Sequence, residues 1–239
     1  MDQISTCTRS TQVPCDGLLI DMDGTIIDST MAVEKNWRLQ VIGDEIGVSH
    51  DVILQTSHGR RSMDVFKDLA PEKANWEYIT SIEERLPRLF SKEVTEILGA
   101  RDLLLSVVRN KIPWAIVTSG SAPLVLGWLE AFGLPKPEHL VTAESVAEGK
   151  PDPECYLLGR KHLGLNKPCH NVIVLEDSPA GIYAGKLAGC KVLGLVTSHT
   201  LDQIVQAKPD WIVKDLDSIK LARDDQDNLV VEISDMPAV

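Results

Sequence analysis

One stretch constrains the fold of this chain more than any other, a short apolar run that ends in carboxylates. Residues 18–20 are Leu-Leu-Ile, and Asp21 and Asp23 follow, one residue apart, before a Gly-Thr pair. The apolar run is typical of a buried strand. Two neighbouring acids are costly to bury unless a cation or hydrogen-bond donors compensate their charge. The stretch therefore predicts either a metal site or, more simply, a strand followed by an Asx-type turn.

Composition limits the classes of function. The chain has 239 residues, 44% of them hydrophobic, which is enough for one large domain or two smaller ones. A formal net charge of -11, from 35 acidic and 24 basic residues, argues against nucleic acid or an anionic membrane as a partner. No apolar run approaches the roughly 20 residues that span a bilayer. An anionic substrate would need local positive charge or a metal.

The amino-terminal residues and the cysteines bear on localisation. Residues 1–14 are polar and lack the apolar core of a secretory signal. We expect residues 1–15 to form a disordered lead-in. The five cysteines are scattered and form no CxxC pair, which indicates neither a zinc site nor a disulfide framework. These features favour a cytoplasmic protein.

The hydrophobic pattern predicts two kinds of architecture in the chain. Ser29 is a candidate N-cap, and apolar residues recur at helical spacing from there to about residue 98. No convincing strand occurs in that region. We therefore predict a helical cap subdomain at 30–98, inserted into a core formed by residues 16–29 and 99–239.

The core is predicted to be an α/β domain with a Rossmann-like parallel sheet. After residue 99, compact apolar strands alternate with helices, as expected when both faces of a parallel sheet are covered. Ligands bind such sheets outside the carboxyl ends of the strands. Three of those ends are polar, at residues 21–23, 118–120 and 176–178. The last apolar run, residues 229–233, could add an edge strand.

The residues at these strand ends form two complementary sets. One set is of carboxylates, which suit a hard cation such as Mg²⁺, and it comprises Asp21, Asp23, Glu176 and Asp177. The other set offers hydrogen-bond donors to an anion, and it comprises Ser119, the amide of Gly120 and the ammonium of Lys150. A metal, anion donors and a carboxylate nucleophile together indicate phosphoryl transfer. Each element also has a simpler interpretation, since Ser119 and Glu176-Asp177 could cap helices and Lys150 could lie in a surface turn.

Four ordered motifs resemble those of the haloacid dehalogenase-like hydrolases. They are DMDGT at 21–25, VTSGS at 117–121, GKPDP at 149–153 and LEDSPAG at 175–181. The resemblance runs from about residue 16 to 233. It implies that Asp21 is a nucleophile forming an aspartyl-phosphate, and that Asp23 is the general acid and base whose main-chain carbonyl also binds Mg²⁺.

The resemblance implies the remaining roles as well. Phosphate would be held by Ser119 and Lys150 with the amides of Met22, Asp23 and Gly120. Asp177 would bind the metal directly, and Glu176 either directly or through water. The helical segment would be a mobile cap that reads the substrate.

A narrower likeness is to the fungal glycerol-3-phosphate and 2-deoxyglucose-6-phosphate phosphatases. It depends on SHGRRSMD at 57–64, GIYAGKLAGC at 181–190 and DSIK at 217–220. It makes His58, Gly59, Arg60 and Arg61 candidate specificity residues. Arg60 departs from the pattern, because it stands where those enzymes tend to have a large aromatic residue.

The resulting hypothesis is a magnesium-dependent phosphatase that acts on a small polyol or sugar phosphate. A hydrophobic alkyl or prenyl monophosphate is the alternative, because Met31, Trp37, Met63 and Phe66 could face the pocket. Phosphomutase chemistry and a catalytically retired binding module are weaker alternatives. Inward-facing polar cap residues would favour the polyol or sugar.

Overall fold

The computed structural model describes residues 10–39 and 59–234. Numbered along the chain, the strands are β1 Ser10–Pro14, β2 Gly17–Ile20, β3 Ile27–Asp28, β4 Thr95–Glu96, β5 Trp114–Val117, β6 His139–Val141, β7 Val172–Glu176, β8 Lys191–Leu195, β9 Trp211–Val213, β10 Ile219–Arg223 and β11 Leu229–Ser234. The described α-helices are α1 Thr30–Leu39, α2 Ser62–Leu69, α3 Trp76–Glu83, α4 Leu86–Phe90, α5 Ala100–Arg109, α6 Ala122–Ala131, α7 Glu154–His162, α8 Pro179–Leu187 and α9 Leu201–Ala207. Short 3₁₀ turns occupy Pro71–Lys73, Ala143–Ser145 and Leu216–Ser218.

Six strands form one parallel sheet in the order β6-β5-β2-β7-β8-β9. Strand β2 lies between β5 and β7, with Ile20 paired to Ile116 on one side and to Leu175 on the other. All three of these strands are buried along their whole length. Their continuous apolar runs follow from helical cover on both faces. The predicted α/β class with a Rossmann-like parallel sheet is confirmed.

The two faces of the sheet hold separate hydrophobic clusters. Leu18 and Ile20 point to a cluster that includes Leu104 of α5 and Trp128 of α6. The intervening Leu19 points to the opposite cluster, which α7, α8 and α9 cover. This alternation follows from the two-residue period of a strand. None of the described helices is long and apolar enough to cross a membrane.

Helices α2 and α3 form a small unit beside the sheet, whereas Leu86 and Phe90 of α4 belong to the main hydrophobic cluster and α4 contacts α6. Met63 and Phe66 of α2 pack with Ile79 and Ile82 of α3 in a third hydrophobic cluster. Where the chain leaves and re-enters the core, β3 and β4 form a two-residue antiparallel pair. The hydrophobic pattern contained no sign of β4, because two residues are too few to show an alternation.

The prediction of a disordered lead-in through residue 15 is wrong for Ser10–Pro14. These residues form β1, which pairs antiparallel with β11 in a second, three-stranded sheet of order β1-β11-β10. Val13 pairs with Val231, which is fully buried. Strand β11 is therefore the centre of this small sheet and not an edge of the main one. Residues 1–9 lie outside the described range.

Candidate active site

Three neighbouring strands of the main sheet deliver acidic and hydroxyl side chains to one edge. Asp21 follows β2, Thr118 and Ser119 follow β5, and Asp177 follows β7. Because β5, β2 and β7 are adjacent and parallel, their carboxyl ends open on the same side of the sheet. The convergence expected from the sequence is therefore present.

Lys150 connects two of the carboxylates. Its Nζ lies 2.6 Å from Asp21 Oδ1 and 2.6 Å from Glu176 Oε1, and it also donates to the Val117 carbonyl at 3.2 Å. Burial alone would lower the pKa of Lys150, but the charges of Asp21 and Glu176 outweigh it and raise that pKa. Lys150 is therefore a buried ammonium held at the site by its partners.

Asp21, Glu176 and Asp177 form a buried acidic cluster in which one oxygen from each lies within 4.8 Å of the others. Burial, with Glu176 next, raises the pKa of Asp177 to about 7, and burial also raises the pKa of Asp21 well above its usual value. Such shifts mark carboxylates that lack full charge compensation. Three clustered carboxylate oxygens are the donor set that a hard divalent cation prefers, so the residues fit Mg²⁺.

Hydroxyl groups hold Asp177 in this cluster. Thr25 Oγ1 donates to Asp177 Oδ1 at 3.1 Å, and Ser198 Oγ donates to Oδ2. Gly24 has a φ of 86°, and a Cβ on it would collide with the Asp177 carboxylate. The Gly-Thr turn of the first motif therefore allows the close approach of Asp177.

Glu176 is more fully hydrogen-bonded than its two neighbours. Oε1 accepts from Lys150 and from the Tyr156 hydroxyl at 3.0 Å, while Oε2 accepts from the amide and the hydroxyl of Ser178, both at 2.9 Å. Burial would raise the pKa of Glu176, but Lys150 and these donors lower it. Glu176 is thus the ionised partner of Lys150.

The Asp23 side chain stands apart from the acidic cluster. It accepts a hydrogen bond from Ser29 Oγ at 2.6 Å, and burial raises its pKa. A Cβ on Gly120 would lie 3.6 Å from Asp23 Oδ2, so the second motif passes close to this carboxylate. A protonated carboxyl in this position could donate its proton to a group in the cavity.

The expected phosphate donors already have partners. Ser119 Oγ donates to the Gly59 carbonyl at 3.0 Å, and the Gly120 amide donates to Thr118 Oγ1 at 3.0 Å. Met22 has its side chain in the core, so only its backbone could face the site. Its carbonyl accepts from the amides of residues 25–27, which forms the tight turn after β2.

A cavity of about 110 Å³ opens beside these groups. Its core-side wall includes Asp21, Asp23, Ser119, Lys150 and Asp177. The other wall comes from the start of α1, from the start of α2 and from the end of α3, and it is lined by Ser29, Thr30, Val33, Gly59, Arg60, Ser62 and Glu83. This second wall is mostly polar.

Residues 15–189 match the family model described as haloacid dehalogenase-like hydrolase. The chain belongs to this family of hydrolases. The match covers all four motifs and the residues between them, so the family resemblance seen in the motifs is confirmed.

Similar proteins include fungal phosphatases. This hydrolase is 36% identical over 222 residues to glycerol-1-phosphate phosphohydrolase 2 of Saccharomyces cerevisiae, covering 90% of this chain and 88% of the relative. It is 33% identical to 2-deoxyglucose-6-phosphate phosphatase 1 of the same yeast, covering 90% and 94%. The solved structure of β-phosphoglucomutase from Clostridium difficile matches at 20% identity with a TM-score of 0.70, covering 86% and 93%, and shares the fold.

The four candidate specificity residues differ in whether they line the cavity. His58 lies outside the described residues. Gly59 and Arg60 line the cavity, and the Arg60 guanidinium is 2.8 Å from Asp68. Arg61 is buried and does not line the cavity; it forms a two-bond fork with Asp64 at 2.7 and 2.8 Å.

Arg61 instead joins the helical unit to the core. Its guanidinium donates to three backbone carbonyls, those of Ala143, Val146 and Ala147, at 2.9 to 3.3 Å. A Cβ on Gly149 would lie 2.7 Å from Arg61 Nε, so the glycine before Lys150 leaves room for this contact. We call Arg61, Asp64 and the 143–147 loop the arginine clamp.

Two buried polar residues at the site were absent from the sequence predictions. Tyr156 contacts Glu176 through its hydroxyl, and the Lys150 Nζ lies 5.2 Å from the centre of its ring. Glu83 lines the cavity from the end of α3. The signal for Glu83 was its place among Ile79, Ile82 and Leu86, because a carboxylate at helical spacing with buried apolar residues faces inward.

Proposed function

We propose that this hydrolase is a magnesium-dependent phosphatase that releases phosphate from small polyol or sugar phosphomonoesters. The observation that supports it most is the 2.6 Å contact between Lys150 Nζ and Asp21 Oδ1 in a buried acidic cluster beside a polar cavity. A carboxylate can attack a phosphate dianion only where positive charge offsets their repulsion. The yeast relatives, named as phosphatases of a polyol phosphate and a sugar phosphate, support the same class of substrate.

The proposed reaction has two steps. One Asp21 oxygen attacks phosphorus, the bond from phosphorus to the ester oxygen breaks, and Asp23 protonates the departing alkoxide. Asp23 then removes a proton from water, which attacks the aspartyl-phosphate and releases inorganic phosphate and free Asp21. The buried, protonated form of Asp23 suits the first step, and its ionised form suits the second.

The other core residues hold the phosphoryl group. Lys150 neutralises charge on its oxygens, assisted by the amides of Met22, Asp23 and Gly120. The Ser119 hydroxyl would turn from the Gly59 carbonyl to a phosphate oxygen when substrate enters. Mg²⁺, held by Asp21, Asp177, the Asp23 carbonyl and Glu176 directly or through water, would supply further positive charge to the transferring group.

We assign residues 30–98 to a cap over the core at 16–29 and 99–239. The described part of this segment supports the assignment, because helices α2 and α3 have their own hydrophobic cluster and face the acidic edge of the sheet across the cavity. The β3–β4 pair joins the two parts. A cap in this position would exclude water from the nucleophile while substrate is bound.

The cavity favours a polyol or sugar leaving group over an alkyl or prenyl chain. Met63 and Phe66 are buried in the cap cluster, and Met31 is 51% exposed. None of these three lines the described cavity, and the side chain of Trp37 lies outside the described part of the chain. A volume of about 110 Å³ is also small against the ~300–1,000 Å³ clefts of drug-sized ligands.

We propose small phosphate esters, and no nucleic acid or membrane, as partners, since a chain with a net charge of -11 repels polyanions and anionic membranes. We also propose a cytoplasmic setting. Cys15, Cys155 and Cys190 are free buried thiols, as expected in a reducing compartment.

The decisive experiment compares Asp21→Asn with the wild type. A panel of phosphorylated polyols, sugars and alkyl alcohols with Mg²⁺ is assayed for free phosphate. We expect wild-type turnover and no detectable turnover by the variant, with unchanged circular dichroism, because Asn keeps the shape and loses the nucleophile. Asp16→Asn, exposed at the other end of β2, is the matched control and should retain activity.

Two other outcomes would replace the proposal. Absence of phosphate release from the whole panel by the wild-type protein would favour a retired binding module. An isomerised phosphate ester without free phosphate would favour a phosphomutase. Wild-type activity in Asp21→Asn would contradict the aspartyl-phosphate mechanism.

A further inference from the structure

Glu83 is a buried carboxylate that belongs to none of the four motifs. It ends α3 in the cap, is 5% exposed and lines the cavity that Asp21 and Asp23 line from the core. Burial raises its pKa, and the nearby charge of Asp23 adds to this effect. Burying a carboxylate costs free energy unless hydrogen-bond donors compensate its charge.

Two contacts hold the carboxylate in one orientation. Ser62 Oγ, at the start of α2, donates to Oε1 at 2.5 Å. The backbone amide of Ser121, at the start of α6 in the core, donates to Oε2 at 2.8 Å. Glu83 is therefore fixed from both the cap and the core, and its position depends on the cap lying against the core.

These two contacts leave acceptor capacity on Glu83. An ionised carboxylate offers about four acceptor sites. Ser62 Oγ and the Ser121 amide occupy two, and the Ser121 hydroxyl, which lowers the pKa of Glu83, lies close to a third. A group that enters the cavity can satisfy Glu83 only by donating a hydrogen. A hydroxyl can do this, whereas a carboxylate or a second phosphate cannot and would meet the negative charge of Glu83.

The rest of the cap wall does not reverse this charge preference. Among the described residues of that wall, Arg60 is the cation, and its guanidinium is paired with Asp68 at 2.8 Å. Val33 of α1 and Leu124 of α6 add apolar surface to the same cavity, which suits the carbon skeleton of a small polyol. The wall thus combines a fixed acceptor with a short apolar surface.

We propose that Glu83 determines specificity for the leaving group, selecting one that is neutral and has a hydroxyl close to the ester carbon. This inference rests on the proposed phosphatase function and adds a residue and a rule of selection to it. The same residue excludes phosphate esters whose leaving group is anionic. Glu83 does not touch the reacting phosphorus, so its effect should appear in the choice among substrates.

The test compares three phosphate esters of similar size, each with Mg²⁺. Glycerol 1-phosphate has two hydroxyls, n-propyl phosphate has none, and phosphoglycolate has a carboxylate. We expect the wild type to favour glycerol 1-phosphate over n-propyl phosphate in kcat/KM by tenfold or more, because a hydrogen bond to a charged group is worth about tenfold to a hundredfold. Phosphoglycolate should be the poorest of the three.

Glu83→Gln keeps the shape and removes the charge. The preference for glycerol 1-phosphate over n-propyl phosphate should fall at least tenfold, mainly through a higher KM for glycerol 1-phosphate. The discrimination against phosphoglycolate should fall as well. Glu84→Gln, exposed on the next residue, is the matched control and should keep both ratios.

The outcomes separate this inference from the proposed function. Unchanged ratios in a folded Glu83→Gln variant would overturn the role of Glu83 alone. A wild-type preference for phosphoglycolate would also overturn it and would point to Arg60 as the selecting group. This comparison uses the wild type alone, so it does not depend on the folding of a variant. If the wild type releases phosphate from none of the three esters, the proposed function fails and this inference fails with it.

Discussion

At the scale of single residues, the site depends on the placement of one ammonium between two carboxylates. Lys150 is buried and contacts Asp21 and Glu176 at equal distances of 2.6 Å. Such a group cannot be judged by its pairwise attraction alone, because all three charges have lost water. Lys150 stabilises the fold because its removal would leave two buried carboxylates, Asp21 and Glu176, without a positive partner beside Asp177.

We predict that Lys150→Met lowers the free energy of unfolding by about 3–5 kcal/mol, since removing one partner leaves uncompensated buried charge. Phosphate release should be lost as well. Urea unfolding without metal measures the first effect, and added Mg²⁺ should restore part of it. Lys161→Met, on the exposed side of α7, is the matched control. Equal unfolding midpoints for the two variants would show that Lys150 does not stabilise the cluster.

Asp177 gives the metal-free protein a pH-dependent stability. Its pKa is about 7 in the fold against 3.8 for the unperturbed group. Between these values the folded state holds a proton that the unfolded chain releases, so stability falls as pH rises from about 4 to 7. The slope for one group is at most about 1.4 kcal/mol per pH unit. Above pH 7 both states are ionised and the loss is complete.

We therefore predict that urea midpoints of the metal-free wild type fall between pH 5 and pH 7 more steeply than those of Asp177→Asn. Mg²⁺ favours the ionised carboxylates, so its stabilising effect should be larger at pH 8 than at pH 5. Urea titrations at four pH values, with and without Mg²⁺, measure both effects. Parallel curves for the wild type and Asp177→Asn would assign the pH dependence to other groups.

At the scale of elements, the arginine clamp and Glu83 connect helices α2 and α3, the proposed cap, to the rest of the structure at two places. The clamp joins α2 to the 143–147 loop, and Glu83 joins α3 to the start of α6. Glu83 lines the cavity, whereas Arg61 is buried away from it. Contact between these helices and the core therefore satisfies buried polar groups on both sides.

We predict that Arg61→Lys loosens the cap without unfolding the core. Lysine cannot form the planar fork with Asp64 while donating to three carbonyls, and the loss should be about 3 kcal/mol. Amide hydrogen exchange should speed up in residues 62–90 and at 143–147, with the main sheet unchanged. Arg85→Lys, exposed in the same unit, should leave the exchange pattern as in the wild type. Uniform acceleration across the main sheet would mean that the clamp stabilises the whole fold.

At the scale of the whole molecule, a second sheet pairs residues 10–14 with residues 229–234, which are far apart in the sequence. Strand β11 has β1 on one side and β10 on the other, and β10 contacts α5 of the main domain. Without β1, the hydrogen-bonding groups along one side of β11 would face water.

We predict that a chain starting at Cys15 melts at a lower temperature than one starting at Ser10, because only the longer chain keeps β1. The difference should be several degrees, as about 1–2 kcal/mol shifts the melting temperature of a domain this size by roughly 2–8 °C. Differential scanning calorimetry of both chains measures it. The active site is remote from β1, so kcat should agree between them. Equal melting temperatures would show that β1 adds no stability.

The sequence alone determined the α/β class, the strand ends and which polar residues come together at one edge of the sheet. The reason is that these features are local. A continuous apolar run ends at a definite residue, as at Asp21 and Asp177, and parallel strands bring their carboxyl ends to one edge whatever the details of packing. Four short motifs in order were therefore enough to place the family and its chemistry.

The tertiary structure alone decided the contacts between cap and core. Arg61 appeared as a specificity residue in its motif, yet it meets carbonyls more than 80 residues away. For Glu83, the apolar residues at helical spacing around it were the sequence pattern that could have predicted its burial. No sequence pattern predicted β1. Each depends on packing between segments distant in the chain, and no local periodicity encodes which backbone carbonyl or amide a buried charge will find.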